Sequence, residues 1–570
     1  MANSAGYGAW LLLGLLAGQS VLAPPALTQE ARRLPLQEVP LRPFASEARA
    51  HLWLMRQAEN GIEAIRRAAR ARGCTPAADP SPYELRCRSH TLNSVVLREF
   101  SRRQLVLVDS AMAPVRSGSG VQLAGDALYV MREGELVRVE LSGDRAVAGD
   151  VQQTRLAPAE WMDDSDDEVI TWGNLIVTLN RGQRRHPVLR TYVANASGRL
   201  EPRDTLVVTG DAPHPLHHVA SRVRGHELLL YATWPVLNDF DESVALSAIA
   251  PALPDGEPVV VRPPVWFRRV YRPVSGVDTT DALNHVHALL RCDLRAAPLA
   301  CNADLVMAGA ARRHAFTERA LEIETEVQRG ALHVRLPYAG SPPRAFVGPT
   351  DSSSRVVRHA GPYRITTTRT NAPERNDTSA SIVDTVTIVR PGTSRVWRVT
   401  LPHHVERAVA LGSRLLLVGP ARGEVRATLV RLGRRAEVLD VLRLPDAGGA
   451  RDGAVLTAHQ VEAVPGDHFR VGYTVVDYAV DTRTNPGGDY DAAWFLEVRA
   501  DSLASLGLLR ATAGTFSDEA DVDTYRMPLG ASQAMLRGDR VYAIFHKELV
   551  EGRVVNGRVR EVARGALVPE

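Results

Sequence analysis

The sequence predicts an all-β chain folded as a single β-propeller, and three observations predict it. The stretch Gly125–Leu141, GDALYVMREGELVRVEL, reads as a β-hairpin. A Gly-Asp turn leads into apolar Leu128–Met131, an Arg-Glu-Gly turn follows, and Val137, Val139 and Leu141 then alternate with Arg138 and Glu140. That is the period of strands with one buried and one wet face. Looser copies of the hairpin recur at Trp172–Asn180, Arg224–Trp234, Arg329–Leu336, Leu411–Gly419 and Arg537–Phe545, at intervals of very roughly 50 residues or multiples of that. Finally, 43 glycines and 36 prolines punctuate strand-like runs from Asn93 to Val568, which leaves no room for long helices.

So many strands require a closed arrangement, because an open sheet leaves unpaired edges that recruit other chains. Four-stranded blades set radially around a channel meet that requirement. The region 93–570 has room for about seven such blades, with six to eight spanned by ordinary blade lengths. Two stacked β-sandwiches would show turns every ~8–12 residues and no longer period; the glycine-anchored repeat favours the ring. Closure is expected by pairing an early strand, near Val95–Leu97 or Leu105–Val108, with the last blade near Val541–Phe545.

In chain order, residues 1–23 read as a signal peptide. The short apolar core Trp10–Ala17 and the exit Val21-Leu22-Ala23 have its form, although no Lys or Arg precedes the core and Pro24 follows the exit. The core is too short and too glycine-interrupted for a membrane span. Leu15-Leu16-Ala17-Gly18 resembles a lipoprotein signal, but Gln19 stands where the lipidated cysteine is required. Residues 24–45 are Pro-rich and read as a linker that buries nothing. Residues 46–92 hold the one helical pattern: Leu52, Met55, Ile62, Ile65 and Ala69 recur at steps of three and four, with Ser46 as N-cap and Gly73 as stop. Arg66, Arg67, Arg70 and Arg72 suit the dipole of its last turns.

The four cysteines form two close pairs, Cys74 with Cys87 and Cys292 with Cys301, neither at CxxC spacing. In an exported protein these read as two local disulfides; in a reducing compartment they would be four free thiols. The net charge of +3 is too small to imply nucleic acid as a partner. Basic charge is almost wholly arginine, Lys547 being the single lysine. Polar loops at Asp163–Glu168, Asn238–Glu242, Arg369–Thr378, Asp481–Asp491 and Ser517–Asp523 mark places where blades carry insertions.

With the hairpins and helix in place, the chain from about Leu41 onward resembles the secreted bacterial and archaeal β-propeller family distantly related to WD40 repeats. The resemblance rests on LRPFASEARAHL (Leu41–Leu52), VQLAGDALYVMREGELVRVEL (Val121–Leu141), SRVRGHELLLYATW (Ser221–Trp234) and RMPLGASQAMLRGDRVYAIF (Arg526–Phe545). The chain departs from that family at Ser46-Glu47, where Ser-Cys is expected, and no blade carries the Trp-Asp ending of ordinary WD40 repeats. The resemblance implies a fold and an exported location, and no activity.

Candidate chemistry is sparse. His214, His217 and His218 are imidazoles close enough in sequence to suggest a zinc or copper site, with Asp211 as a further ligand. On a strand His217 and His218 would diverge, so the bland reading is loop histidines. His285 and His287 would share a strand face, as channel lining or cross-strand packing. Asp481, Asn485, Asp489 and Asp491 around Gly487-Gly488 offer hard oxygen ligands for Ca²⁺, without the spacing of a calcium loop. No Gly-x-Ser-x-Gly elbow, phosphate-cradling glycine loop or sialidase-type Asp box occurs. The Arg537-Gly538-Asp539 tripeptide is a hairpin turn of the repeat. The expected function is therefore an exported, secreted or periplasmic, non-catalytic propeller. It would act as a monomer binding a protein or glycan partner, with no cofactor other than Ca²⁺ in view. A hydrolase or lyase with its site at one mouth of the channel is the alternative. In the exported protein, mass spectrometry without reduction should find no alkylatable thiol; four alkylated cysteines, or cross-paired ones, would overturn the two local bonds.

Overall fold

A computed structural model describes residues 37–46, eight helical positions between 48 and 60, short strands at 75–76, 85–87 and 90–91, and most of 115–567. The principal interruptions are 142–150, 156–167, 181–187, 209–216, 236–248, 252–269, 349–355, 370–383, 445–453, 478–490 and 513–532. The architecture is a ring of eight four-stranded antiparallel blades: 121–155, 168–208, 217–308, 311–348, 356–401, 407–444, 454–510 and 533–566. No helix among the described residues is long and apolar enough to cross a membrane.

The sequence explains which strand sits where. Inner strands must be apolar on both faces because each face meets a neighbouring blade. Arg414–Ala421, RLLLVGPA, the second strand of blade 6, is accordingly buried at every position. The outermost strand of blade 8, Arg558–Ala566, alternates between exposed and half-buried. Apolar clusters fill seven of the eight joints between blades, all but that of blades 4 and 5 among the described residues. Leu228, Leu230 and Val286 of blade 3 pack on Ile170 and Val177 of blade 2, while Leu229, Tyr231 and Leu289 pack on Leu321 and Val334 of blade 4.

In seven blades a glycine at positive φ turns the first strand into the second: Gly125, Gly173, Gly225, Gly361, Gly412, Gly466 and Gly538. Where that turn has two residues, glycine takes its first position, as in a type II′ hairpin. Blade 4 has no such glycine; Thr317 Oγ1 accepts from the Ala320 amide at 3.1 Å and closes the turn instead. The count is therefore eight rather than seven. Arg329–Leu336 proves to span the junction of the second and third strands of blade 4, out of phase with the other copies. The turns of blades 5 and 7, Gly361-Pro362 and Pro465-Gly466, carry the repeat without its apolar signature.

No early strand pairs with Val541–Phe545 itself. Val541–Phe545 has both edges occupied, by Gln533–Arg537 and Glu548–Val555, and all four strands of blade 8 are consecutive. Val95–Leu97 and Leu105–Val108 lie outside the described residues. Blade 8 meets blade 1 face to face instead, with Met535, Tyr542, Ile544, Leu549 and Leu567 against Val121, Leu128, Val130, Val137 and Val139. Arg537 pairs with Asp126, and Arg540 donates to the Leu141 carbonyl at 3.1 Å. Among the described residues, apolar faces join blade 8 to blade 1 without any exchanged strand.

The N-terminal residues are more integrated than a linker. Gln37–Val39 pairs with Arg344–Gly348 on the rim of blade 4, and Leu41–Pro43 pairs with Val270–Pro273 on the rim of blade 3. Val39 is 1% exposed. Ser46 does cap the helix, its Oγ accepting from the Arg49 amide at 3.3 Å. Gln57 Oε1 accepts from the Leu283 amide and docks the helix on blade 3. Farther on, Val115–Ser117 pairs with the innermost strand of blade 3 before the chain enters blade 1. Cys74 and Gly73 lie outside the described residues. Deleting residues 24–43 should therefore lower the thermal midpoint by several degrees, since burying a valine such as Val39 is worth about 1.5–3 kcal/mol and two rim strands lose their cover. An unchanged midpoint in a calorimetric scan would show that these strands contribute nothing.

Candidate functional site

The polar residues of the ring gather in the joint between blades 3 and 4. His285 and His287 share a face of strand His285–Asp293, and their rings stack 6.4 Å apart. His287 Nε2 lies 2.9 Å from the Gly309 carbonyl and therefore donates to it. Nδ1 is then the acceptor, taking the Tyr231 hydroxyl proton at 2.9 Å. His314, on the innermost strand of blade 4, tilts against the Tyr231 ring at 5.1 Å. Burial pulls His287 down to about 4 and His314 down to about 3, with Arg222 and His287 adding to the latter; burial also raises Tyr231 above the usual tyrosine range. These are neutral rings serving as internal hydrogen-bonding and packing groups. Alternation along the strand located the His285–His287 pair, whereas His314 and Tyr231 join it only through blade packing.

Nearby, Arg222 spans the Phe316 ring at 5.4 Å and donates to the Ser221 carbonyl. The Ser221 hydroxyl donates to buried Glu168 of blade 2. Sequence reasoning singled out neither contact, because each partner comes from a different blade.

The same joint opens at its other end into a cleft of about 600 Å³. The Cys292–Cys301 disulfide, borne by directly opposed residues of the third and fourth strands, stands in its wall. Arg291 anchors the cleft, with an ion pair to Asp304 at 2.7 Å and donation to the Pro337 and Tyr338 carbonyls at 3.1 Å each. Tyr271 and Tyr338 contribute rings, and Glu227, Asp293 and Asn302 contribute polar groups.

The remaining expected sites fall differently. His217 and His218 occupy consecutive positions at the start of His217–Arg224, opposite Thr233 and Ala232; His214 and Asp211 lie outside the described residues. Asp491 opens strand Asp491–Val498, while Asp481, Asn485 and Asp489 lie outside. Among the described residues no group of three or more His, Cys, Asp or Glu side chains is placed to hold a metal ion.

The two faces of the ring are unequal. First-to-second connections are short in every blade, as are third-to-fourth connections in every blade but the first, and side chains bond across them. Arg203 donates to Leu294 O at 3.4 Å, Trp397 to Gly433 O at 2.9 Å and Arg414 to Arg499 O at 2.7 Å, while Arg470 bonds Gly538 O. Because each blade is an antiparallel meander, the opposite strand ends all lie on the other face. There the strand ends bordering all five of the polar loops, 163–168, 238–242, 369–378, 481–491 and 517–523, are found. Four of the five sequences carry net negative charge.

No family model matches the chain, and no curated protein matches it. Solved structures similar to it include a prolyl endopeptidase (12% identity, TM-score 0.34, covering 77% of this chain and 55% of that chain). They also include dihydro-heme d1 dehydrogenase NirN (11%, 0.38, 70% and 67%). A further one is the β-propeller domain of the Trilobed protease from Pyrococcus furiosus (9%, 0.30, 69% and 95%). The chain spans a little over half of the prolyl endopeptidase and of the Pyrococcus horikoshii acylaminoacyl peptidase, 55% and 58%. The propeller is established by the strand topology itself.

The histidines set a pH dependence. An unfolded chain takes up protons as pH falls through about 6.5, whereas folded His287 and His314 refuse them until about 4 and 3. Stability is therefore full above pH of about 7, falls as pH drops through that window, and levels off beneath it. For His287 alone the loss is on the order of 3 kcal/mol. His403, also pulled to about 4 by burial, acts in the same direction. Urea midpoints should decline from neutral pH to pH of about 4, and His314→Leu should make the decline shallower. A flat profile, or one unaffected by the substitution, would remove the histidines from that role.

Proposed function

We propose that the protein is an exported, non-catalytic binding propeller that meets a partner of basic surface through the face bearing its acidic connections. The observation that carries this is the asymmetry of the ring: one face is drawn tight by turns and arginine bonds, and the strand ends on the other border the insertions. A rigid scaffold with its variable segments on one side is the usual form of a recognition surface. Negative charge concentrated there speeds encounter with a basic partner and excludes acidic ones. The Cys292–Cys301 bond supports an oxidising location. Histidines held neutral and sealed among tyrosine and main chain are poorly matched to proton transfer at neutral pH, which supports binding over hydrolysis or lyase chemistry.

The test begins with crosslinking in the exported fraction, followed by measurement of affinity with the purified partner. Neutralising Asp163, Asp164, Asp166 and Asp167 together with Asp518, Glu519, Asp521 and Asp523 should weaken the complex about tenfold or more, mainly through a slower association rate. Raising salt from about 0.05 to 0.5 M should do likewise. Affinity that ignores both changes would rule out this face, and substrate turnover by the pure chain would rule out a purely binding role.

A further inference from the structure

The cleft between blades 3 and 4 lies at the tight-turn face, opposite the acidic connections, and nothing in the loop-face binding role uses it. Its wall draws on strand His285–Asp293, on strand Ala300–Ala308 and on Tyr338 and Gly340 after strand Gly330–Pro337. At about 600 Å³ it is the size of a small-ligand site rather than a gap between packed blades.

Its charges are already matched. Asp304 pairs with Arg291 at 2.7 Å, Asp293 with Arg295 at 2.9 Å, and Glu227 with Arg224 at 3.4 Å. Each carboxylate thus has its own guanidinium, so an ionic ligand would have to displace a partner to gain one. Carboxylates so held still present unused lone pairs, since a carboxylate has about four acceptor sites and a single guanidinium aims at most two N–H groups at it. Asn302 is exposed in the wall and offers both an acceptor and a donor. A dense set of fixed acceptors and donors without free charge suits hydroxyl groups.

Two aromatic rings complete the lining. Tyr271 is half-buried and presents an amphipathic ring to the cleft. Tyr338 is 4% exposed, stacked beneath the Arg224 guanidinium at 5.5 Å, and its hydroxyl has no hydrogen-bond partner.

We propose that this cleft binds a neutral, polyhydroxylated ligand, an oligosaccharide in chemical class. Tyr271 stacks on the apolar face of a sugar ring, and Asn302 with the Arg-held carboxylates of Asp304 and Glu227 takes its hydroxyls. The site needs no metal and involves no covalent step.

The full chain should be titrated with neutral trisaccharides (malto-, cello-, xylo- and chitotriose) and with trigalacturonate as the charged counterpart, by calorimetry and by saturation-transfer NMR. Saturable binding of at least one neutral trisaccharide is expected, with little dependence on salt and no preference for trigalacturonate. Tyr271→Ala and Asn302→Ala should each weaken it about tenfold. Asn302 is exposed, so Asn302→Ala should keep the parent thermal midpoint. No saturable binding of any neutral sugar, a preference for trigalacturonate, or binding indifferent to Asn302→Ala would overturn the proposal. Because the acidic connections lie on the opposite face, charge neutralisation there should leave sugar binding unchanged, which separates this site from the loop-face role.

Discussion

A blade of this protein has no stable existence apart from its neighbours, because its inner strands are apolar on both faces wherever both meet an aliphatic joint. Strand Arg414–Ala421 shows the constraint at its strongest, buried at every residue between the faces of two other blades. Burial at roughly 25 cal/mol per Å² makes the joints, not the blades, the units of stability. Directional bonds then fix how far each joint can slide. A guanidinium reaching a turn carbonyl across a joint contributes about 1.5–3 kcal/mol when shielded from water, and it fails if the blades shift by an ångström or so. Arg540 is the most committed: it pairs with fully buried Glu551 at 2.7 Å while bonding Leu141 O of blade 1. Removing either member of such a pair would leave a buried charge without its counter-ion. Among the described residues, the junction of blade 8 with blade 1 is thereby held without a shared strand.

One joint is built differently. The face of blade 4 toward blade 5 carries Arg313, Glu322, Glu324, His333 and Arg335, and among the described residues no apolar cluster joins the two blades. Arg335 grips Glu322 at 2.6 Å, and Glu324 lies 3.7 Å from His333. Burial lowers His333, Glu324 opposes that shift, and Arg364 of blade 5 reinforces it, so the two faces sense one another through charge. Half-exposed ion pairs of this kind contribute little net stability. Separating blades 4 and 5 would expose far less apolar area than separating any pair joined by an aliphatic cluster.

What the sequence revealed follows from the range of each interaction. Two-residue turns are local, so Gly125, Gly173, Gly225, Gly412 and Gly538 announced five blades by chain position alone. Blade 4 escaped because Thr317 does by side-chain hydrogen bonding what glycine does elsewhere by conformational freedom. Blades 5 and 7 escaped because Pro362 and Pro465 sit beside the turn glycine and disguise the hairpin. The rim strands at residues 37–43 look like linker, since two three-residue strands have no room for a periodic signal. Cross-joint partners are further out of reach: Arg291 and Pro337, or Tyr231 and His314, are adjacent only after two blades dock. The Cys292–Cys301 bond could be read because it is local, joining opposed residues of one hairpin.

The same division of range governs where binding can reside. A cleft walled by Arg291, Asp304 and Tyr338 inherits its precision from strands locked on both sides, so its polar groups keep their positions whether or not anything is bound. The acidic connections, whose bordering strand ends lie on the opposite face, are marked by composition alone, and connections between strands in general tolerate changes of length and sequence. The two roles proposed above thus fall on opposite faces, geometric recognition on the tight one and electrostatic recognition on the open one. The separation comes from the meander itself, which sends alternate connections to opposite faces in every blade.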